Sequence, residues 1–139
     1  MGQAVLSIDG ACSGRRATCA AVLSLDGKIV AEASRHLPEV DGYVLAAEIA
    51  AVALAGELLA GQNTCQEITL ETDNPDVARV IEGRYRPPQM ARIPPALLEA
   101  ARELSRGRHM TFTLSPRNST AGLRRADKLA SDHLWRKRR

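Results

Sequence analysis

The stretch SIDGACSG, residues 7–14, closes a short apolar run on an acid and then continues with small residues. The run, QAVLSID at residues 3–9, has the length and composition of a buried β-strand. A carboxylate in such a place is costly unless something compensates its charge, and nothing bulky fills the space beside it. We therefore take Asp9 as the first candidate functional residue and place the other elements around it.

Hydrophobic periodicity predicts five strands and four helices in the order βββαβααβα. A DG turn at Asp26 and Gly27 joins the second and third strands, and Asn74 is the predicted N-cap of the second helix, before Pro75. The predicted strands are 3–9, 18–25, 28–37, 67–72 and 109–116, and the predicted helices are 44–60, 75–82, 96–106 and 121–135. This order predicts an α/β fold with a five-stranded mixed sheet flanked by helices.

Length and composition indicate one soluble domain. The 139 residues suffice for one hydrophobic core, so we expect a single, monomeric domain over residues 1–139 with a basic tail from about residue 135. No apolar run approaches the roughly 20 residues of a membrane span. The odd cysteine count and the absence of a signal peptide favour a reduced, cytoplasmic setting. The thiols expected in the core are Cys12, Cys19 and Cys65.

Positive charge is concentrated in a few segments, although the net charge is only +3. Arginines cluster at residues 15–16, 84–92, 102–108 and 117–139. Such clusters suit a polyanionic partner such as nucleic acid, but charge alone leaves a solvated, Arg-rich surface equally open. Only four aromatic residues are present, which disfavours base-stacking platforms for single strands and leaves duplex backbone recognition possible.

Two predicted helices each carry one acid inside an apolar stripe. Burial of a lone carboxylate is costly, so a cation or a functional site is expected beside Glu48 and Asp127. The alternatives are a Glu that stabilises the first helical turn and a rim Asp paired with Arg124 or Lys128. The stripes are Leu45, Glu48, Val52, Ala55 and Leu59, and Leu123, Asp127, Ala130 and Leu134.

Asp73 completes a set of four acids with Asp9, Glu48 and Asp127. It follows the strand 67–72 and has no capping duty, because Asn74 is the better cap. Four carboxylates gathered at one spot would repel one another unless divalent cations neutralised them. Oxygen ligands favour Mg²⁺, with Mn²⁺ as a substitute, and two such ions about 4 Å apart can promote hydrolysis of a phosphodiester. Small residues after Asp9 would let a sugar-phosphate backbone approach.

Four motifs, in the right order, resemble those of the ribonuclease H family, type 1. They are IDGACSG, AAEIAAVALA, ETDNPDVARVI and RRADKLA, and together they span nearly the whole chain. The resemblance implies a ribonuclease H-like fold in which strands one, four and five are parallel. It also implies that Asp9, Glu48, Asp73 and Asp127 bind two Mg²⁺ ions. The implied activity is endonucleolytic hydrolysis of the RNA strand of an RNA/DNA hybrid, which leaves a 5'-phosphate.

The same resemblance assigns supporting residues and exposes three departures. Asn residues that often precede the helix Glu by three and four places are Leu45 and Val44 here, which cannot hydrogen-bond through their side chains. Arg117 stands where many members place a His, and its implied role is phosphate contact. Leu123 replaces an Asn, for which Asn118 is the candidate substitute. The candidate substrate-binding residues are Gly10, Ala11, Cys12, Ser13, Asn74 and Asn118.

Two alternatives stay open from the sequence. A non-catalytic nucleic-acid-binding module with this fold is favoured by the missing Asn residues and disfavoured by the four acids. A related nuclease with another substrate is disfavoured, because exonucleases of the superfamily carry a second acid where this chain has Ala11. Cleavage of labelled hybrid, double-stranded RNA and DNA with Mg²⁺, Mn²⁺ or chelator separates these possibilities.

Overall fold

The central feature of the computed structural model, which describes residues 3–62, 67–106 and 109–136, is a five-stranded mixed sheet. The strand order is β3-β2-β1-β4-β5, with the first three strands antiparallel and with β1, β4 and β5 parallel. The predicted sheet and element order are therefore confirmed. The elements are β1 (Ala4–Ser13), β2 (Arg16–Leu25), β3 (Lys28–His36), α1 (Val44–Leu59), β4 (Glu67–Thr72), α2 (Asp76–Ile81), a 3₁₀ turn (Met90–Arg92), α3 (Pro95–Ser105), β5 (His109–Leu114) and α4 (Ala121–Trp135).

Helices α1 and α4 cover opposite faces of the sheet. Successive side chains of a strand point to opposite faces, and β2 is apolar on both. Ala21 and Leu23 belong to the main core, which α1 closes, whereas Ala20 and Val22 pack against α4. The fold therefore has three layers, and a residue on either helix can reach the edge of the same strands.

Helix α1 is buried on nearly all sides because it lies between the sheet and α3. Ile49 and Leu59 are fully or almost fully buried, and burial of each such side chain contributes about 1.5–3 kcal/mol. Gly56 and the many alanines let α3 approach closely, with Leu104 against Gly56. In this apolar setting Glu48 is the exception, with only 3% of its surface exposed.

Strand β1 is longer than the sequence predicted. Its ladder with β4 ends at the pair Ser7–Glu71, but its ladder with β2 continues to Ser13–Arg16. The small residues after Asp9, which the predicted strand left out, are held in β1 by its ladder with β2. The prediction that β1 ends at Asp9 is therefore wrong, and Asp9 lies two residues beyond the last pair with β4.

The predicted turns follow from local chemistry. Asp26 and Gly27 have φ angles of 51° and 84°, which match the left-handed positions of a two-residue hairpin turn. The Asn74 Oδ1 atom accepts a 2.9 Å hydrogen bond from the Asp76 amide, which is the capping interaction expected of Asn74. Helix α2 itself begins at Asp76, one residue later than predicted, so Pro75 and not Asn74 stands immediately before it. Gly83 follows the end of that helix with a φ of 76°.

The cysteines differ in their surroundings. Cys19 is fully buried, as expected for a core thiol, but Cys12 is only partly buried and lies at a cleft. Cys65 and tail residues 137–139 lie outside the described residues. Within the described ranges, no helix combines the length and hydropathy needed to cross a bilayer.

Candidate functional site

Four acids meet at the end of the sheet where β4 terminates. One carboxylate oxygen from each of Asp9, Glu48 and Asp73 lies within 4.8 Å of the other two. Asp127 comes from α4, on the opposite face from α1, and it lies near enough to Asp9 to help raise the pKa of that carboxyl group. All four side chains line one open cleft. The structure thus brings together the four acids that the sequence singled out.

Glu48 reaches the other acids because Gly10 has no side chain. A Cβ atom at Gly10 would lie 2.8 Å from Ala47 Cβ and from the Glu48 amide nitrogen, so α1 packs directly on this residue. The Gly10 backbone also favours the charged form of the Glu48 carboxylate, against the larger effect of burial on its pKa. Glu48 lies beyond the first turn of α1, where the helix dipole contributes little, so first-turn stabilisation does not explain its position.

Burial and mutual repulsion shift the protonation of the two inner acids. Desolvation, followed by the contacts with Asp127 and Asp73, raises the pKa of Asp9 from its ordinary value of 3.8 to about 7. Desolvation and the charges of Asp9 and Asp73 raise the pKa of Glu48 well above its usual range. Arg117 brings a positive charge to the same cleft, where its Nη2 atom lies 3.3 Å from Asp127 Oδ1, although its side chain is 73% exposed.

The donor set fits a hard divalent cation. Glu48 Oε2 is buried and has no hydrogen-bond partner among the described residues, so one site oxygen is left without compensation. The converging donors are carboxylate oxygens, which suit Mg²⁺ or Mn²⁺ better than zinc. Burial and the nearby Glu48 charge raise the pKa of the Cys12 thiol, which keeps it protonated and disfavours thiolate ligation.

The cleft has a volume of about 570 Å³ and includes most of the predicted site residues. Ser13 and Asn118 do not line it; Asn118 is exposed, and its carbonyl accepts a 3.3 Å hydrogen bond from Arg124 Nη1. The predicted residues in the lining are Asp9, Gly10, Ala11, Cys12, Glu48, Asp73, Asn74, Arg117 and Asp127, and Val44, Pro75 and Ser131 complete it.

Two other expectations are corrected or refined at the rim. The partner of Asp127 is Arg117, whereas Lys128 pairs with Asp132 at 3.0 Å. Ten residues separate Asp127 from Arg117 along the chain, so the helical spacing used for the prediction could not show this pair. Val44 is 46% exposed in the cleft, whereas Leu45 is 7% exposed and belongs to the core.

A further acid, Glu71, was not predicted from the sequence and lies buried near the cleft. Glu71 in β4 is 8% exposed, and its Oε1 atom accepts hydrogen bonds from Ser7 Oγ at 2.5 Å and Thr120 Oγ1 at 2.6 Å. A signal was present, because an acid inside the apolar run EITLET is costly to bury. The partners could not be found from the sequence, since they lie 64 and 49 residues away.

Solved structures share this fold over nearly the whole length of the chain. RNase H1 from the halophilic archaeon Halobacterium salinarum NRC-1 is 30% identical, with 96% of this chain and 98% of that chain covered and a TM-score of 0.78. This chain belongs to the type 1 ribonuclease H family. Its ribonuclease H fold therefore holds the four acids at one cleft.

Two further ribonuclease H structures show the same fold at 20% identity. The N-terminal RNase H domain of a Mycobacterium tuberculosis protein has a TM-score of 0.78 over 96% of this chain and 94% of that chain. LC11-RNase H1, solved in complex with an RNA/DNA hybrid, has a TM-score of 0.74 over 94% and 96%. No family model and no curated protein matches the sequence.

Proposed function

We propose that this ribonuclease H is a metal-dependent endonuclease that hydrolyses the RNA strand of RNA/DNA hybrids. The observation that carries the proposal is the convergence of Asp9, Glu48 and Asp73 within 4.8 Å, with Asp127 beside them in an open cleft. The Halobacterium relative is an RNase H1, which supports the activity, and LC11-RNase H1 was solved in complex with an RNA/DNA hybrid, which supports the substrate class.

In the proposed mechanism, the four carboxylates hold two Mg²⁺ ions, for which Mn²⁺ can substitute. These ions, when bound, supply activation of water and stabilisation of the departing oxygen of a phosphodiester. Glu48 is the fixed member of the set, because the direct packing of α1 on Gly10 defines its place. Asp127 is 29% exposed and faces the open side, where substrate enters.

The remaining cleft residues position the nucleic acid. Small residues line one side of the cleft, namely Gly10, Ala11 and Cys12. They leave room for a sugar-phosphate backbone and allow main-chain groups to contact it. Arg117 carries a positive charge at the same cleft, and contact with a phosphate would replace its 3.3 Å pairing with Asp127. Asn74 adds an amide at the end of β4.

The substitution Asp73→Asn tests the proposal. It removes one ligand charge, nearly preserves side-chain volume, and is expected to lower kcat on a labelled RNA/DNA hybrid by at least about 100-fold in Mg²⁺. The measurement is fragment formation with hybrid, double-stranded RNA and double-stranded DNA, each in Mg²⁺, Mn²⁺ or chelator.

Asp132→Asn is the matched control. Asp132 is an exposed acid of α4 that pairs with Lys128 away from the cleft, so its substitution changes the net charge equally and should leave cleavage unchanged. Circular dichroism verifies that both variants keep the fold. Cleavage of the hybrid by Asp73→Asn at the parent rate would refute the assignment.

A non-catalytic hybrid-binding module is the second candidate, and Val44 favours it. This exposed apolar side chain lines the cleft at a position where family resemblance implies an Asn that reads the minor groove. The absence of an Asn at this position weakens the case for strict selectivity for RNA/DNA hybrids. Binding of the hybrid without fragments under every metal condition would favour the module, and equal cleavage of double-stranded RNA would broaden the substrate class.

A further inference from the structure

Glu71 is a buried carboxylate that the proposed mechanism does not use. It does not line the cleft and does not belong to the group of carboxylates within 4.8 Å of one another. Its surroundings are nevertheless polar, because the hydroxyl groups of Ser7 and Thr120 both donate to its Oε1 atom. Burial of such a carboxylate costs desolvation free energy even when it is hydrogen-bonded, so we expect it to have a specific role.

The Glu71 network joins the three segments that carry three of the site acids. Ser7 lies two residues before Asp9 in β1, and Glu71 itself lies two residues before Asp73 at the end of β4. The two strands are already paired at Ser7–Glu71, which is the last pair of their ladder. The hydroxyl–carboxylate bond therefore reinforces the strands at the point where they separate towards the cleft.

Thr120 connects the third segment, helix α4. Its hydroxyl donates to Glu71 at 2.6 Å and accepts a 3.1 Å hydrogen bond from the Leu123 amide, so one side chain both caps α4 and anchors it to β4. Asp127 lies seven residues beyond Thr120 on the same helix. A rotation or shift of the start of α4 would therefore move Asp127 relative to Asp9 and Asp73.

Gly122 shows how closely α4 is seated on this carboxylate. A Cβ atom at Gly122 would lie 3.0 Å from Glu71 Oε1 and closer still to the Ser7 side chain. No larger residue fits without displacement of the helix. The first turn of α4 therefore rests directly on the Ser7–Glu71 pair, with no intervening side chain.

We propose that Glu71 is a positioning residue for the site: by holding Ser7 and Thr120, it fixes the spacing of Asp9, Asp73 and Asp127 and so sets the affinity for a divalent cation. The inference rests on the proposed function, because it assumes that these acids hold the cation. Glu71 acts through its two hydroxyl partners and has no contact with substrate.

The test compares Mn²⁺ binding in the absence of nucleic acid, by electron paramagnetic resonance, for the parent and for Glu71→Leu and Glu71→Gln. Leu removes the acceptor of both hydroxyls, and we expect the Mn²⁺ Kd to rise about tenfold, at the lower end of effects seen for partners outside the ligand set. Gln keeps an acceptor oxygen, so its Kd should stay much nearer the parent value. The metal concentration for half-maximal cleavage should follow the same order, with KM for the hybrid unchanged.

Thr18→Val is the matched control for a purely structural loss. Thr18 is fully buried, and its hydroxyl donates at 2.7 Å to the Ala130 carbonyl, so it also ties the sheet to α4, but it is not one of the hydroxyl groups that donate to Glu71. We expect Thr18→Val to lower stability without changing the Mn²⁺ Kd. An equal loss of affinity in Thr18→Val, at a similar fall in Tm, would overturn the proposal.

Ser7→Ala keeps the proposal testable if Glu71→Leu does not fold. It removes one of the two donors and should weaken Mn²⁺ binding in the same direction by a smaller factor. Parent-like affinity in a folded Glu71→Leu or Ser7→Ala protein would refute the positioning role while leaving the nuclease assignment intact. A parent protein that binds no Mn²⁺ would instead overturn the metal site itself, and the positioning role with it.

Discussion

Asp9 lies in a strand that both faces of the fold bury, and three other carboxyl groups, those of Glu48, Asp73 and Asp127, lie close to it. Desolvation first, and then the contacts with Asp127 and Asp73, raise its pKa to about 7. Without a cation, the folded protein therefore retains a proton on Asp9 over a pH range in which the unfolded chain loses it. A group with this behaviour destabilises the fold as pH rises.

Asp9→Asn should therefore stabilise the metal-free protein, and the effect should grow with pH. Below the unfolded pKa of about 3.8, parent and variant both carry a neutral side chain; between that value and about 7, the parent loses stability relative to the variant, and above it the difference is constant. We expect a difference on the order of 2–4 kcal/mol at pH 8. Urea unfolding in chelator from pH 4.5 to 8 measures it.

Asp132→Asn again serves as the comparison, because Asp132 is an exposed residue outside the cleft. A difference between parent and Asp9→Asn that is flat or shrinks as pH rises would contradict the expected linkage. Addition of Mn²⁺ at pH 8 should recover stability in the parent more than in Asp9→Asn, because binding to the folded state raises stability by mass action.

The acids were predictable residue by residue, whereas their partners were not. Glu48 stood out because a charge interrupts an apolar stripe, and Asp73 because Asn74 already caps the next helix. The pairing of Asp127 with Arg117 depends on the path of the loop before α4, and the bonds of Glu71 depend on strand register. Such partners come from the fold, so local spacing cannot supply them.

The packing of α1 on β1 determines where Glu48 lies at the site. Gly10 allows the helix to lie on the strand, and the same contact delivers Glu48 to the cleft. Helix α1 cannot shift away from β1 freely, because α3 packs against its other side. Even one added methyl group at Gly10 must therefore displace α1 or distort β1.

Gly10→Ala should destabilise the protein and weaken its metal site together. The added Cβ would meet backbone and side-chain atoms of Ala47 at 2.8 Å, which predicts a loss of at least about 2 kcal/mol in the free energy of unfolding. Displacement of α1 carries Glu48 with it, so the Mn²⁺ Kd should rise as well. Urea unfolding and Mn²⁺ titration measure the two effects.

Gly56→Ala, in the middle of α1, is the opposite control. Its Cβ would meet Leu104 at 3.8 Å, an ordinary contact, and alanine favours the helix by roughly 0.5–1 kcal/mol over glycine. This variant should be at least as stable as the parent, with unchanged Mn²⁺ affinity. A Gly10→Ala protein with parent stability would show that α1 does not rest on β1 in this way.

The order of the elements was predictable because the hydrophobic periodicity of helices differs from that of strands. Turn and capping residues also mark the ends of elements at Asp26–Gly27, Asn74–Pro75 and Gly83. The length of β1 was not. Small residues after Asp9 are typical of a loop, but hydrogen bonds to β2 extend the strand to Ser13. Tertiary pairing thus outweighed local propensity at the part of the strand that borders the cleft.

Over the whole molecule, many of the arginines that suggested a nucleic-acid surface are neutralised by neighbours. Arg84 pairs with Glu82, and Arg15 with Asp41. Arg86, in the connection at residues 84–92, is exposed and makes no ion pair among the described residues. This connection lies beside the start of α1, since Arg92 stacks 5.0 Å from the centre of the Tyr43 ring.

Arg86→Gln should weaken substrate binding through the loss of one phosphate contact. We expect KM for the hybrid to rise several-fold at low salt, and the slope of log KM against log salt concentration to fall by about 1. Because the contact is electrostatic, kcat should change little. The measurement is initial-rate cleavage over a range of KCl concentrations.

Lys28→Gln removes the same charge at the opposite end of the sheet, at the first residue of β3. It should leave both KM and its salt dependence unchanged. An equal effect of the two substitutions would show that Arg86 acts only through net charge and has no direct contact with substrate.

The continuation of β1 beyond β4 also bears on how this protein can tolerate mutation. From Ile8 to Ser13, the strand edge turned towards β4 has lost its ladder partner, so main-chain amides and carbonyls are offered there regardless of side-chain identity. Conservative replacements at Ala11 or Cys12 should then be well tolerated. An insertion or deletion in this segment would instead turn each following side chain of β1 to the opposite face of the sheet. At Ala11 and Cys12, selection would therefore act on chain length more strongly than on side-chain identity.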